Sequence, residues 1–218
     1  MPDARIRHAA LFVLLCTLAG CQSAMYRAYE AFGIEKRDLL IDRVSDARDA
    51  QEAAQKQFTS ALEQFRALVA VDGGELEEIY DRLSAEYERT RGRADAVSAR
   101  IDAVENVAGD LFREWERELD DYSNPSLRRD SERLLADTRR RYDVLIRRMR
   151  QAEERMQPVL ETFEDSVLTL KHNLNAQAVR SLRGELTSIE RQTATLIADM
   201  ERAIAEADEF IGRMRNAG

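Results

Sequence analysis

Two histidines and two cysteines are all that this chain of 218 residues offers for nucleophilic or transition-metal chemistry. They are His8, Cys16, Cys21 and His172, and they lie far apart. A metal centre in a helical protein needs Glu-x-x-His on two helices, or Cys and His at ligand spacing. Neither pattern occurs. His172, beside Lys171, Asn173 and Asn175, has no matching serine and acid to form a Ser–His–Asp set. Asp72-Gly73-Gly74-Glu75 is too short for a phosphate-cradling loop and lacks its lysine. Neighbouring acids such as Asp120 and Asp121 recur throughout a chain that is 34% charged, so they do not single out acid–base catalysis. No catalytic residue, metal ligand or cofactor is expected. The chemistry left is that of arginine. Between Arg128 and Arg155 stand ten arginines against six acids, densest at Arg139, Arg140, Arg141 and at Arg147, Arg148, Arg150. The planar guanidinium fork suits phosphate and carboxylate. This row therefore offers a face for a partner protein, lipid headgroups or lipopolysaccharide cores. Residues 102–121 hold eight acids and two arginines, however. A hairpin about Asn124 lays the two stretches side by side, and pairing within the protein is then the expected use of the row.

One cysteine has a different context. Residues 1–8 carry Arg5 and Arg7, residues 9–19 form an apolar run of eleven, and Ala19-Gly20 precede Cys21. A basic start, a short apolar stretch and a small-residue exit are the parts of a secretory signal peptide. Eleven apolar residues fall short of the about 20 needed to span a bilayer as a helix. Leu18-Ala19-Gly20-Cys21 resembles the lipobox of bacterial lipoproteins. The resemblance implies cleavage between Gly20 and Cys21, a diacylglyceryl thioether on Cys21 and an acylated amino terminus. Two or more acyl chains, at ~0.8 kcal/mol per buried CH₂, anchor a protein stably. Residues 1–20 are thus expected to be a lipoprotein signal peptide, and residues 21–218 a membrane-anchored body facing the periplasm. Gln22, by analogy with enteric lipoproteins, favours the outer membrane over the inner. Cys16 leaves with the leader, so the mature chain has neither disulfide nor free thiol, and packing alone must hold it together.

The mature body carries 31 basic and 40 acidic residues, a net charge of −9. That balance, with a periplasmic address, argues against nucleic acid as a partner. Many charges, few aromatics and scarce Gly and Pro are the composition of long helices. The apolar spacing agrees. Leu40, Val44, Ala47, Gln51, Ala54, Phe58, Ala61, Phe65 and Leu68 step by four and three, a heptad seam. Three more seams follow: Tyr80 to Trp115, Leu135 to Phe163 and Val179 to Phe210. The breaks between them are Asp72-Gly73-Gly74, Tyr122-Ser123-Asn124-Pro125 and Asn173-Leu174-Asn175. Asn124 is an apt N-cap and Pro125 an apt first helical residue.

These spacings predict an all-α protein: an elongated, antiparallel, up-down-up-down four-helix bundle with coiled-coil-like seams. The helices are expected at about 22–71, 75–122, 125–172 and 176–214, in one domain. Longer hairpins pairing as dimers or trimers are the alternative architecture, so a homo-oligomer stays open. Short connections force neighbouring helices to run antiparallel. The anchor, the Asn124 turn and the C-terminus then share a membrane-side base. Asp72, Gly73, Gly74, His172, Asn173 and Asn175 form a far tip, where turn and capping chemistry explains most of them.

The segments KRDLLIDRVSDARDAQEAAQKQF, FREWERELDDYSNPSLRRDSERLL and LKHNLNAQAV resemble a family of bacterial coiled-coil lipoproteins known as a domain of unknown function. The resemblance covers roughly Ala24 to Ile211. It implies a single domain and assigns no activity, cofactor or partner. The expected role is a non-enzymatic, lipid-anchored envelope scaffold that meets a protein partner. The alternative is a periplasmic carrier of a lipophilic molecule, suggested by the polar seam residues Gln51, Thr90, Thr138 and Thr193 and by Met149, Met156 and Pro158.

Overall fold

The computed structural model describes the backbone of residues 3–70, 76–173 and 176–216, and the side chains within those ranges from Lys36 onward, Ala176 excepted. Four helices follow in order: α1 (Asp3–Ala70), α2 (Leu76–Glu118), α3 (Pro125–His172) and α4 (Ala176–Asn216). A single 3₁₀ turn, Leu119–Asp121, closes α2, and no strand occurs among the described residues. The backbone of α1 runs as one helix through Cys21 into the bundle.

Local chemistry accounts for the helix ends. Glu77 and Glu78 occupy the first turn of α2, where the helix dipole favours acids. The Asn124 side chain accepts from the Ser126 N–H at 2.9 Å, with Pro125 in the first turn, so α3 starts as its sequence predicts. Lys171 and His172 in the last turn of α3, and Arg213 and Arg215 in that of α4, answer the negative helix ends. α3 passes Pro158 as one continuous helix.

The helices pack in a ring, α1 on α2, α2 on α3, α3 on α4 and α4 on α1, and among the described residues no two backbones approach closely across a diagonal. Every neighbouring pair is antiparallel. Along α1 and α2, Lys36 meets Glu114 and Gln57 meets Glu86. Between α1 and α4, Arg48 meets Asp208 and Arg66 meets Glu190. Trp115 and Ser131 join α2 to α3, and Gln151 and Asp199 join α3 to α4. This is the up-down-up-down bundle, closed within one chain. α3, at 48 residues, spans about 72 Å at 1.5 Å per residue.

All nine seam residues of α1 are buried, and the other seams follow them inward apart from the half-buried Tyr80, Trp115, Tyr142 and Leu186. Phe65 and Phe163 meet edge to face with centroids 5.7 Å apart. Near the base, Phe112 and Tyr142 do the same at 5.4 Å. Gln51 is wholly buried with both amide atoms unpartnered, and the Thr193 hydroxyl is likewise alone. Such groups cost about 1–3 kcal/mol each. A polar residue at a seam position is a known means of holding register against slippage.

Candidate functional site

The arginine row divides once its neighbours are in place. Arg150 reaches across to α2, to Asp102 at 2.6 Å and Glu105 at 2.6 Å, and along its own helix to Glu153 at 2.7 Å. The Glu105 bond, reinforced by Asp102 and Glu153, raises its pKa despite partial burial. Arg139 pairs with Glu116 at 2.6 Å and stacks over the Phe112 ring at 4.9 Å. That hydrogen bond lowers the Glu116 pKa. Arg128 meets Asp120 at 3.2 Å. These three lock α2 to α3, the use expected from the opposed charges of the hairpin.

Of the six arginines in the two dense groups, the four other than Arg139 and Arg150 point elsewhere. Arg140 binds Asp137, and Arg141 lies 4.0 Å from the same carboxylate. Arg147 and Arg148 are exposed and meet no carboxylate among the described residues. Arg148 reaches only the Gln151 side chain, at 3.5 Å. The candidate interaction face thus contracts from six arginines to Arg140, Arg141, Arg147 and Arg148, two helical turns along one side of α3.

Of the tip residues, Asp72, Gly73, Gly74 and Asn175 lie outside the described residues. His172 is the exposed last residue of α3, and the Asn173 N–H caps that helix on the Thr169 and Leu170 carbonyls. Both serve as helix ending. Of Gly20 and Cys21, the expected cleavage and lipid-attachment residues, only the backbone is among the described parts.

Two buried carboxylates escaped the sequence analysis. Glu86 on α2 is 1% exposed and accepts from Gln57 at 2.6 Å, Gln64 at 2.9 Å and Arg89 at 3.2 Å. Asp199 on α4 is 3% exposed and accepts from Gln151 at 3.0 Å, with Arg155 at 3.4 Å and Arg202 beside it. Each is a polar clasp between neighbouring helices. The signal for Glu86 was its place one heptad after Ile79, beside Leu83 and Tyr87. Among the described residues, no group of three His, Cys, Asp or Glu side chains is placed to hold a metal ion. No helix among them is long and apolar enough to cross a membrane.

The base holds a third polar cluster. Lys36 Nζ lies 2.8 Å from the buried Glu114 Oε2, an ionic contact with poor hydrogen-bond alignment. One turn on, Glu118 hides one carboxylate oxygen without a partner while the rest of its side chain is half-exposed. Burial, then the charges of Glu114 and Asp121, push its pKa up. A raised carboxyl pKa means that the folded state resists the charged form. The cost is absent below the ordinary carboxylate range and appears as pH rises through the raised value. Glu118→Gln is therefore expected to melt above wild type at neutral pH and level with it in acid. A gain that persists unchanged in acid would show that charge is not its cause.

At the same end of the bundle the last turn of α4 leaves a groove of about 400 Å³ against α3, lined by Leu134, Thr138, Phe210 and Met214, with Arg141 and Arg213 at its rim. Arg37 of α1 donates to the Met214 carbonyl and ties this end of α4 in place.

These features define a class: a single-chain, antiparallel four-helix bundle whose polar clusters clasp its helices together. Residues 25–214 match the family described as protein of unknown function DUF2959, and the chain belongs to that family. Comparison with the curated proteins and with the solved structures finds no match.

Proposed function

We propose that this protein is a non-enzymatic, lipid-anchored rod of the bacterial envelope, held by acyl chains on Cys21, facing the periplasm from the outer membrane, and acting as a scaffold for another envelope protein. The observation that carries this reading is the filled bundle axis. From Leu40 and Met214 at the base to Leu68, Leu170 and Leu182 at the tip, successive layers of side chains meet with little or no exposure. A fold of this kind supplies length and outer surface. The same filling weighs against the carrier, which needs an elongated cavity between helices. The groove between α3 and α4 is open to solvent, unlike a site from which an enzyme excludes water.

The surface best suited to a partner is the α3 side around Arg147 and Arg148, whose charges nothing within the described chain neutralises. Charged faces of this kind steer association and choose partners. Native mass spectrometry of the full-length protein, gently extracted from its own membranes, is the test. A second polypeptide in the complex, lost or reduced several-fold by Arg147→Glu with Arg148→Glu, is the expected result. An extra mass of a few hundred daltons beyond the acyl chains would point instead to the carrier.

A further inference from the structure

The base of the bundle is unequal. The last turn of α4 lies level with Leu134 and Thr138 of α3, with which it lines the groove. Pro125–Arg133 of α3 and the end of α2 therefore project beyond α4 by about 13 Å at 1.5 Å per residue. In this projecting hairpin Leu127 is 54% exposed and Tyr122 40%, and Leu134, at its root, is 41% exposed. With Leu39, also near this end, they are four of the six large apolar side chains exposed among the described residues. Leu127 and Leu134 are one heptad apart, so they form a strip running into the Phe210–Met214 groove where α4 stops.

The register of α1 on α2 locates this strip relative to the anchor. Lys36 lies opposite Glu114. Continuing the antiparallel pairing puts the Tyr122 turn level with residue 28. Cys21 is seven residues further along the same helix, about 10 Å. Acyl chains on Cys21 would thus hold the turn at the depth of the headgroups, where aromatic and amphipathic side chains are favoured.

We propose that the α2–α3 turn is a second membrane contact, with Tyr122 and Leu127 seated in the headgroup layer of the bilayer that takes the Cys21 acyl chains. This rests on the anchor proposed above. The charges here nearly cancel: Arg128, Arg129 and Arg133 stand against Asp120, Asp121, Asp130 and Glu132, and Arg128 and Arg133 are already paired. Transfer of apolar surface carries the contact, so neither anionic lipid nor low salt is required. One anchor leaves a rod free to tilt about its root. A second contact, on the opposite side of the base, sets the angle at which the rod stands.

The mature chain has no free thiol once Cys21 is acylated, so single introduced cysteines can be labelled. Leu127→Cys and Leu168→Cys, the latter an exposed site near the far tip, each receive a nitroxide in the full-length acylated protein. The protein is then reconstituted in phosphatidylcholine vesicles. The label at 127 is expected to relax several-fold more with oxygen, which concentrates in lipid, than with an aqueous nickel complex. The label at 168 should show the reverse. If 127 behaves like 168 in protein whose intact mass shows the acyl chains, the contact is wrong and the anchor stands. Shielding of 127 from both agents would mean a protein or a second copy covers the strip, and would overturn the lipid contact. Absence of acyl mass on Cys21 would remove the anchor, and the contact with it.

Discussion

Phe163→Ala is expected to lower the unfolding free energy by about 3–5 kcal/mol, the usual cost of removing a fully buried phenylalanine from a core that cannot collapse onto the gap. Phe163 has no exposed surface and packs edge to face on Phe65 at 5.7 Å. Such ring pairs add ~0.5–1.5 kcal/mol beyond the area they bury. The gap would open between α1 and α3, which lie diagonally across the ring and are bridged here by this ring pair. Denaturant unfolding of the variant measures the loss, with Leu168→Ala, 43% exposed, as a control that should change little. A loss below about 1 kcal/mol would mean that the axis is loosely filled here, since even Ile→Val often costs that much. That result would revive the carrier.

The second large effect concerns location. Cys21→Ala is expected to abolish stable membrane attachment. The wild-type chain should begin at Cys21 and carry the mass of its acyl groups. The variant should carry none and should be stripped from membranes by alkaline washing. Its remaining apolar segment is the run of eleven residues at 9–19, well short of the about 20 that hold a spanning helix. Each acyl methylene contributes ~0.8 kcal/mol, so two or three chains far exceed what the apolar side chains at the base can supply. Intact mass and fractionation check both halves. A wild-type protein with an unmodified Cys21 thiol, or a variant retained as firmly as wild type, would end the lipoprotein reading.

Placed against its sequence, the molecule separates into what is local and what is not. The seam of α1 was legible residue by residue because burial in a long helix repeats every three or four positions, and all nine residues from Leu40 to Leu68 obey it. The start of α3 was legible too, since an asparagine cap followed by proline has a mechanism confined to three residues. Heptad spacing also fixes which face turns inward without reference to any partner.

Pairing across helices obeys a different rule. Whether a carboxylate is buried, bridged or free depends on the axial offset between antiparallel neighbours, and a shift of one turn exchanges every partner. The heptad place of Glu86 turns it inward but names no partner for it or for Asp199; the offset sets them opposite Gln57, Gln64 and Gln151 and makes them clasps. The same offset gives Arg139 and Arg150 to α2 and leaves Arg147 and Arg148 outside. It also ends α4 level with Leu134, uncovering a strip that the sequence shows only as two leucines a heptad apart. Composition and periodicity alone determined an all-α, heptad-seamed bundle with its inward faces and its short turns. The tertiary structure alone decided which charges are spent between helices and which remain on the surface, because helix offset is a property of two chain segments and is written in neither one.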